Sequence, residues 1–332
     1  MGRAESALLG ACLLVTAALT AAPVGATSSD QGAAARSEHQ RIVDFWTAER
    51  RAEARPADIL LPGPKAKPEG VGNGKPGSGG GGDDGGTAGT VTGAKWADTS
   101  ADVAQTTGKV YFQQGSWLYV CSGSVVDSSF GSVVLTAGHC VHDGDGGSFH
   151  SNWIFYPGYD SGAKPYGEWT ATDLFTTTGW ASSGDFDDDA GFAAVTNGTS
   201  TRLEEEFDSG VDIPTVSFTA STFDVTYASF GYPAAKKYKG GDLVWCQGPV
   251  THGLDGGDSL VMACDMTGGS SGGPWYRDFA NGSTEINSLN SYGYQSFQGY
   301  MFGPVFGSAE QAAFNGAGGG ECQSPNGFVC TG

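Results

Sequence analysis

From about residue 109 onward the chain breaks into short β-prone runs, and this texture narrows its fold more than any other feature. The runs cover residues 110–112, 117–120, 132–135, 153–156, 191–196, 215–218, 223–230, 243–245, 259–263, 285–289 and 300–302. Most are rich in β-branched or aromatic residues, and the runs are separated by Gly, Asp, Ser and Pro, the residues that end strands and form turns. Many short strands at close spacing call for an all-β barrel or sandwich. No βαβ rhythm interrupts them, and no repeat of fixed period is visible. Residues 309–314 read as a short C-terminal helix, followed by a Gly-rich tail.

The N-terminal part has a different character. Residues 1–26 resemble an export signal: Arg3 opens it, residues 7–22 are apolar, and Val24-Gly25-Ala26 ends in small residues suited to cleavage after Ala26. The apolar run is too short for a membrane span, so a secreted, extracellular protein with no membrane contact is expected. Residues 27–92 do not read as a globular unit. Ser37 and Gln40 fit a capping box, and Ile42, Val43, Phe45 and Trp46 give an apolar face before Pro56 stops the helix. One amphipathic helix cannot bury its own face, so it must dock or stay loose. The tract over residues 70–89, mostly Gly, Pro and charges, is a flexible linker. A helix plus linker behind an export signal suggests a propeptide; a permanently attached disordered arm is the alternative. Residues 93–332 then form one domain, expected as a monomer. Net charge is −19, and residues 93–332 hold 8 basic against 26 acidic side chains. Such a surface disfavours nucleic acid and anionic membranes.

Six cysteines follow the signal: Cys121, Cys140, Cys246, Cys264, Cys322 and Cys330. An even number in an exported chain implies disulfides, and spacing alone does not choose among about fifteen pairings. With no C-x-x-C pair, a zinc ribbon is not indicated. Two stretches carry the chemistry. Gly268-Gly269-Ser270-Ser271-Gly272-Gly273-Pro274 sets a serine among glycines, which permit positive φ and close approach. In a chain with 55 glycines this could be a plain flexible loop. It could also aim backbone N–H groups at one point beside a hydroxyl, as an oxyanion hole requires. Among the histidines after the signal and arm, only His139 has a specific setting, at the end of the apolar run Val134-Leu135-Thr136-Ala137-Gly138-His139-Cys140.

Leu135-Thr136-Ala137-Gly138-His139-Cys140 closely resembles the histidine motif of the chymotrypsin-like serine proteases. Gly269-Ser270-Ser271-Gly272-Gly273-Pro274 resembles their nucleophile motif, and the order His, Asp, Ser matches as well. The resemblance covers roughly residues 109–314 and implies two six-stranded antiparallel β-barrels. It implies a secreted serine endopeptidase made as a precursor, with polypeptide substrates and its own propeptide as partners. A catalytically silent protease-fold binding protein and a serine esterase are the alternatives. In the family the third catalytic residue precedes a small-apolar strand. Asp189, before Ala190-Gly191-Phe192, fits that pattern, with Asp188 the runner-up. Ser271 would be the nucleophile, His139 the base and Asp189 its orienter. Gly269 and Ser271 would supply oxyanion N–H groups. The cysteine in Cys121-Ser122-Gly123 would pair with Cys140, as in the family; Cys246–Cys264 would brace the strand before the nucleophile, and Cys322–Cys330 the tail. No cofactor or metal is required; Ca²⁺ among Asp185 and Asp187 has no further support in the sequence.

Two departures point to a branch. Ser270 replaces the aspartate that pairs with the new N-terminus in digestive enzymes, so that activation switch is not expected. Asp265-Met266-Thr267-Gly268-Gly269-Ser270-Ser271 looks like the bacterial and fungal glutamyl-endopeptidase branch. That branch's substrate-binding histidine is replaced by Asn290 when Ser291-Tyr292-Gly293 is aligned with the family's substrate strand. Met266 stands where a threonine would help, and Asp265 has the spacing of the basic-specific aspartate of trypsin. The residue preferred before the cut therefore stays open. Ser291, Tyr292 and Gly293 are expected to pair with the substrate backbone as an added strand.

Overall fold

A computed structural model describes residues 1–2, 28–57, 59–61, 91–219, 225–253, 257–295, 297–322 and 327–331. The export signal, its cleavage point and the Gly/Pro tract lie outside the described residues. The N-terminal arm forms α1 (Ser28–Phe45), α2 (Ala48–Glu53) and two short strands, β1 (Arg55–Pro56) and β2 (Leu60–Leu61). Strand β3 (Ala94–Lys95) and helix α3 (Asp102–Thr106) lead into the first lobe. There follow β4 (Thr107–Gln114), β5 (Trp117–Val126), β6 (Val133–Thr136), β7 (Ser151–Pro157), β8 (Trp169–Thr177), α4 (Thr178–Ser183) and β9 (Gly191–Thr196). The second lobe holds β10 (Thr215–Val216), β11 (Thr226–Gly231), β12 (Val244–His252), β13 (Leu260–Ala263), β14 (Pro274–Arg277), β15 (Glu285–Leu289), β16 (Tyr292–Tyr294) and β17 (Phe297–Gly303). Helix α5 (Ser308–Gly318) and β18 (Phe328–Cys330) return to the first lobe.

Strands β4 to β9 pair antiparallel in a ring, β4-β5-β6-β9-β8-β7, which closes back on β4. Closure removes the strand edges that an open sheet would expose. The barrel is filled by Val110, Phe112, Val125, Val134 and Phe155, all essentially buried. The second lobe curls in the order β15-β14-β11-β12-β13-β17-β16, and its end strands do not pair with each other among the described residues. One closed barrel and one half-barrel thus stand where two six-stranded barrels are expected. The lobes meet over β5: the Ser122 N–H donates to the Ser271 carbonyl at 2.7 Å, and the Ser122 hydroxyl donates to the Gly269 carbonyl at 2.8 Å. Cysteines pair as Cys121–Cys140, Cys246–Cys264 and Cys322–Cys330.

The arm helix begins at Ser28, well before Ser37, whose hydroxyl donates to the Ala34 carbonyl inside the helix and caps nothing. The helix does dock. Ile42 and Trp46 are buried against Tyr111, Val120, Ile154 and Tyr156 on the outside of the first barrel, and Trp46 Nε1 donates to the Asn152 carbonyl at 2.5 Å.

At the other end, the carboxylate of Glu310 caps α5 by accepting from the Gly307 N–H at 2.7 Å. Burial pushes the Glu310 pKa up to about 7, above its unfolded value. Its stabilising contribution is therefore complete below about pH 4.5 and is lost as pH rises through 7, a change of roughly 3 kcal/mol. In thermal melts, Glu310→Gln should gain on the parent as pH rises from 4.5 to 8; a constant difference in Tm across that range would contradict this.

Candidate active site

Strand β6 ends at Thr136, and the single turn Gly138–Cys140 presents His139. Three contacts fix that turn. Cys140 is bonded to Cys121 on β5. The His139 carbonyl accepts from His150 Nε2 at 3.1 Å, and the Cys140 carbonyl accepts from Trp153 Nε1 at 3.0 Å. Burial pushes His150 down to about 4, so its ring, stacked on Phe112, stays neutral in ordinary buffers and acts as a fixed donor. Sequence reasoning passes over His150 because a lone histidine without a motif carries no signal.

Asp189 is fully buried just ahead of β9. Its Oδ1 accepts from the His139 N–H at 2.7 Å, and its Oδ2 faces His139 Nδ1 at 2.7 Å. The Ser291 hydroxyl donates to the same Oδ2. A buried carboxylate needs such donors to offset its lost hydration. In the neutral ring, donation from Nδ1–H leaves Nε2 as the acceptor. Asp188 faces elsewhere: a Cβ on Gly179 would collide with its Oδ2, and its backbone carbonyl accepts from Thr177 Oγ1. Of the two aspartates, Asp189 alone reaches His139.

Ser271 sits in a loop that only glycine permits. Gly272 has φ +82°, and a Cβ there would lie 2.2 Å from Thr136 Oγ1 and 2.4 Å from the Ser122 carbonyl oxygen. The loop is thereby pressed against the approach to His139, with Cys140 Sγ 3.8 Å from the Ser271 carbonyl oxygen. Gly269, at φ +96°, turns its N–H outward. That N–H and the Ser271 hydroxyl both donate to one oxygen, the carbonyl of Ala57 in the arm, at 3.3 and 3.0 Å. The Ser270 hydroxyl is spent on the Thr267 carbonyl at 2.8 Å. Ser122, inside the quoted Cys-Ser-Gly motif but given no role from sequence, holds this loop by two donated bonds, and its hydroxyl is itself fixed by the Tyr232 N–H, which donates to it at 2.8 Å.

Beside Ser271 opens a cavity of about 360 Å³ whose walls include Asp265, Met266, Ser291, Tyr292 and Gly293. Asp265 reaches it with its charge already committed. Its carboxylate accepts from the Gly93 N–H and the Tyr238 hydroxyl and pairs with Lys237. Burial alone would raise its pKa, but Lys237, Tyr238 and Gly93 together hold it below the usual carboxylate range. Asn290 does not line the cavity. It is fully buried: its Nδ2 donates to the Phe230 and Ser270 carbonyls at 2.9 and 3.1 Å. Its Oδ1 accepts from Ser229 Oγ at 2.6 Å and Trp275 Nε1 at 2.7 Å. Side chains alternate faces along an extended strand, so Asn290 points into the core while Ser291 points at Asp189. In place of the expected substrate contact, Asn290 forms a strut beneath the loop that carries Ser271.

Asn290→Ala strands several buried partners, each at about 1–3 kcal/mol. A Tm drop of several degrees with unchanged cleavage preference is expected from melts and peptide-library profiling; a changed preference would return Asn290 to the pocket.

The thermostable serine protease AL20 from an extremophilic microorganism is 39% identical to this chain, covering 66% of it and 99% of its own length with a TM-score of 0.60. The protease Anisep from Arthrobacter nicotinovorans is also 39% identical, covering 65% of this chain and 96% of its own with a TM-score of 0.59. Glutamyl endopeptidase of Bacillus licheniformis is 30% identical over 155 residues, 46% of this chain and 44% of that protein. The chain spans about half the length of the curated relatives it matches. No protein-family model matches it. With a closed barrel, a half-barrel and a likeness that spans nearly the whole length of two solved serine proteases, the chain belongs to the chymotrypsin-fold serine proteases.

Proposed function

We propose that this chain is a secreted serine endopeptidase, made as a precursor, that hydrolyses polypeptides through Ser271, His139 and Asp189. One observation carries the reading. A carbonyl oxygen is held jointly by the Gly269 N–H and the Ser271 hydroxyl, beside a histidine whose Nδ1 is engaged by a buried carboxylate. In the reaction, His139 Nε2 takes the Ser271 proton as Oγ attacks the carbonyl carbon. The resulting oxyanion is met by the backbone N–H groups of Gly269 and Ser271, each donor being worth about 3 kcal/mol. Collapse expels the amine, which receives the proton from His139 and leaves an acyl group on Ser271. Water, activated by the same histidine, then releases the acid. Asp189 keeps Nδ1 protonated and stabilises the imidazolium. None of these steps calls on a cofactor or metal.

The strand of Tyr292 and Gly293 offers backbone groups to an extended substrate. Three disulfides suit an oxidising, extracellular setting. A single copy contains every group the chemistry needs, which fits a monomer.

A fluorophosphonate probe should label Ser271 of the processed chain, freed of its N-terminal arm, and that chain should hydrolyse casein. Ser271→Ala should abolish both, and His139→Ala should slow hydrolysis by about 10⁴-fold or more. Labelling that persisted in Ser271→Ala would refute the assignment, and ester turnover without casein turnover would make the protein an esterase.

A further inference from the structure

The oxygen held by the Gly269 N–H and the Ser271 hydroxyl belongs to the chain itself, and the polarity of the segment that supplies it is unusual for a substrate. The scissile carbonyl of a productive peptide faces Gly269, and its leaving nitrogen must lie where His139 can protonate it. His139 is carried by the first lobe and is tied through Cys140 to Cys121 on β5. The leaving half of a substrate therefore belongs along β5, and the acyl half along β16 in the second lobe.

The arm does the opposite. Residues preceding the Ala57 carbonyl lie on β5, parallel to it, with Arg55 opposite Tyr119 and Pro56 opposite Val120. The Ala57 N–H donates to the Val120 carbonyl at 3.0 Å. Residues following it lie on β16, again parallel, with Leu60 opposite Gly293 and Leu61 opposite Tyr294. The Gly293 N–H donates to the Ile59 carbonyl at 3.0 Å, and the Gln295 N–H to the Leu61 carbonyl at 2.9 Å. The chain that follows Ala57 is thus found, from Ile59 on, along β16 in the second lobe and not on the side of His139.

A second observation points the same way. The Ser271 hydroxyl has one proton, and it is donated to the Ala57 carbonyl. His139 Nε2, the atom that should accept that proton, is buried with no hydrogen-bond partner among the described residues. Nucleophile and base are uncoupled while the segment is seated. Both ends of the segment are anchored. Upstream, Trp46 is buried on the first barrel and the Arg55 guanidinium stacks on Trp117 at 3.7 Å; downstream, Ile59 and Leu61 pack with the cluster of Tyr292, Tyr294 and Phe302.

We infer that residues 55–57 and 59–61 belong to a built-in inhibitor of reversed polarity, which fills the oxyanion site with the Ala57 carbonyl and is not cut after Ala57. The inference rests on the functional reading above and assigns the cleft its regulatory ligand, a segment of this same chain.

The test uses the full chain throughout. The expected parent behaviour is slow fluorophosphonate labelling of Ser271 and no cleavage between Ala57 and Asp58 by mass spectrometry. Ala57→Pro deletes the donor to Val120 and should speed labelling by about tenfold. Trp46→Ala, which undocks the arm at a distance from the cleft, should act in the same direction, and circular dichroism confirms that each variant is folded. Amide exchange at Gly293 and Gln295 should be slow in the parent and faster in both variants. Parent labelling as fast as the variants', or a cut after Ala57, overturns the inference and leaves the protease reading standing. Folded chains of which none labels or hydrolyses casein overturn the protease reading, and the inference with it.

Discussion

The carboxylate of Asp189 sets the terms for the rest of the molecule. A buried charge is tolerated only where donors replace its water. Here the donors come from both lobes: the His139 backbone and ring from the first, and the Ser291 hydroxyl from the second. Satisfying one side chain therefore fixes the lobes relative to each other and orients the imidazole. The same residue joins the stability of the fold to the alignment of the chemistry.

The loop of Ser271 solves a related problem with backbone in place of charge. Gly272 must pack against Thr136 and Ser122 in a conformation closed to side chains, and Gly269 must turn its N–H outward. Such a loop would be loose if left to itself, since glycine gives up the most freedom on folding. Ser122 on β5 and Asn290 ahead of β16 hold it from two sides with five hydrogen bonds, to the Ser271, Gly269, Ser270 and Gly273 carbonyls and the Gly272 N–H. The rigidity that an oxyanion site requires is supplied by these struts, whose own residue types are unremarkable.

That explains what could be read from the sequence. The proposed catalytic residues His139, Asp189 and Ser271 sit in dense local patterns that sequence reasoning can single out, and the strands at 191–196 and 285–289 are legible too. Supporting residues have no such pattern. Strand β8 escapes notice because Thr and Asp interleave its apolar positions, and β14 because it follows directly on Gly-Gly. Asn290 was expected to meet substrate by position in an aligned strand. A shift of one residue reverses the face in extended chain, and alignment by motif does not reveal which face is buried. Asp265 likewise keeps the spacing of a specificity charge while Lys237, distant in sequence, takes that charge up.

The arm shows the same limit in sharper form. Composition marks residues 27–92 as an appendage with one apolar face, and docking of that face on the first barrel follows from simple burial. Direction does not. A strand edge accepts a partner running either way, parallel pairing being only slightly weaker per residue, so neither hydropathy nor propensity distinguishes a substrate from its reverse. What decides polarity here is where the chain enters. With Trp46 anchored on the first lobe, the arm reaches β5 before it reaches β16. A productive peptide must meet the lobes in the other order, acyl half first. The anchoring site on the first barrel, remote from the chemistry, therefore determines that the segment lies in the cleft as a ligand that the enzyme holds and does not cut.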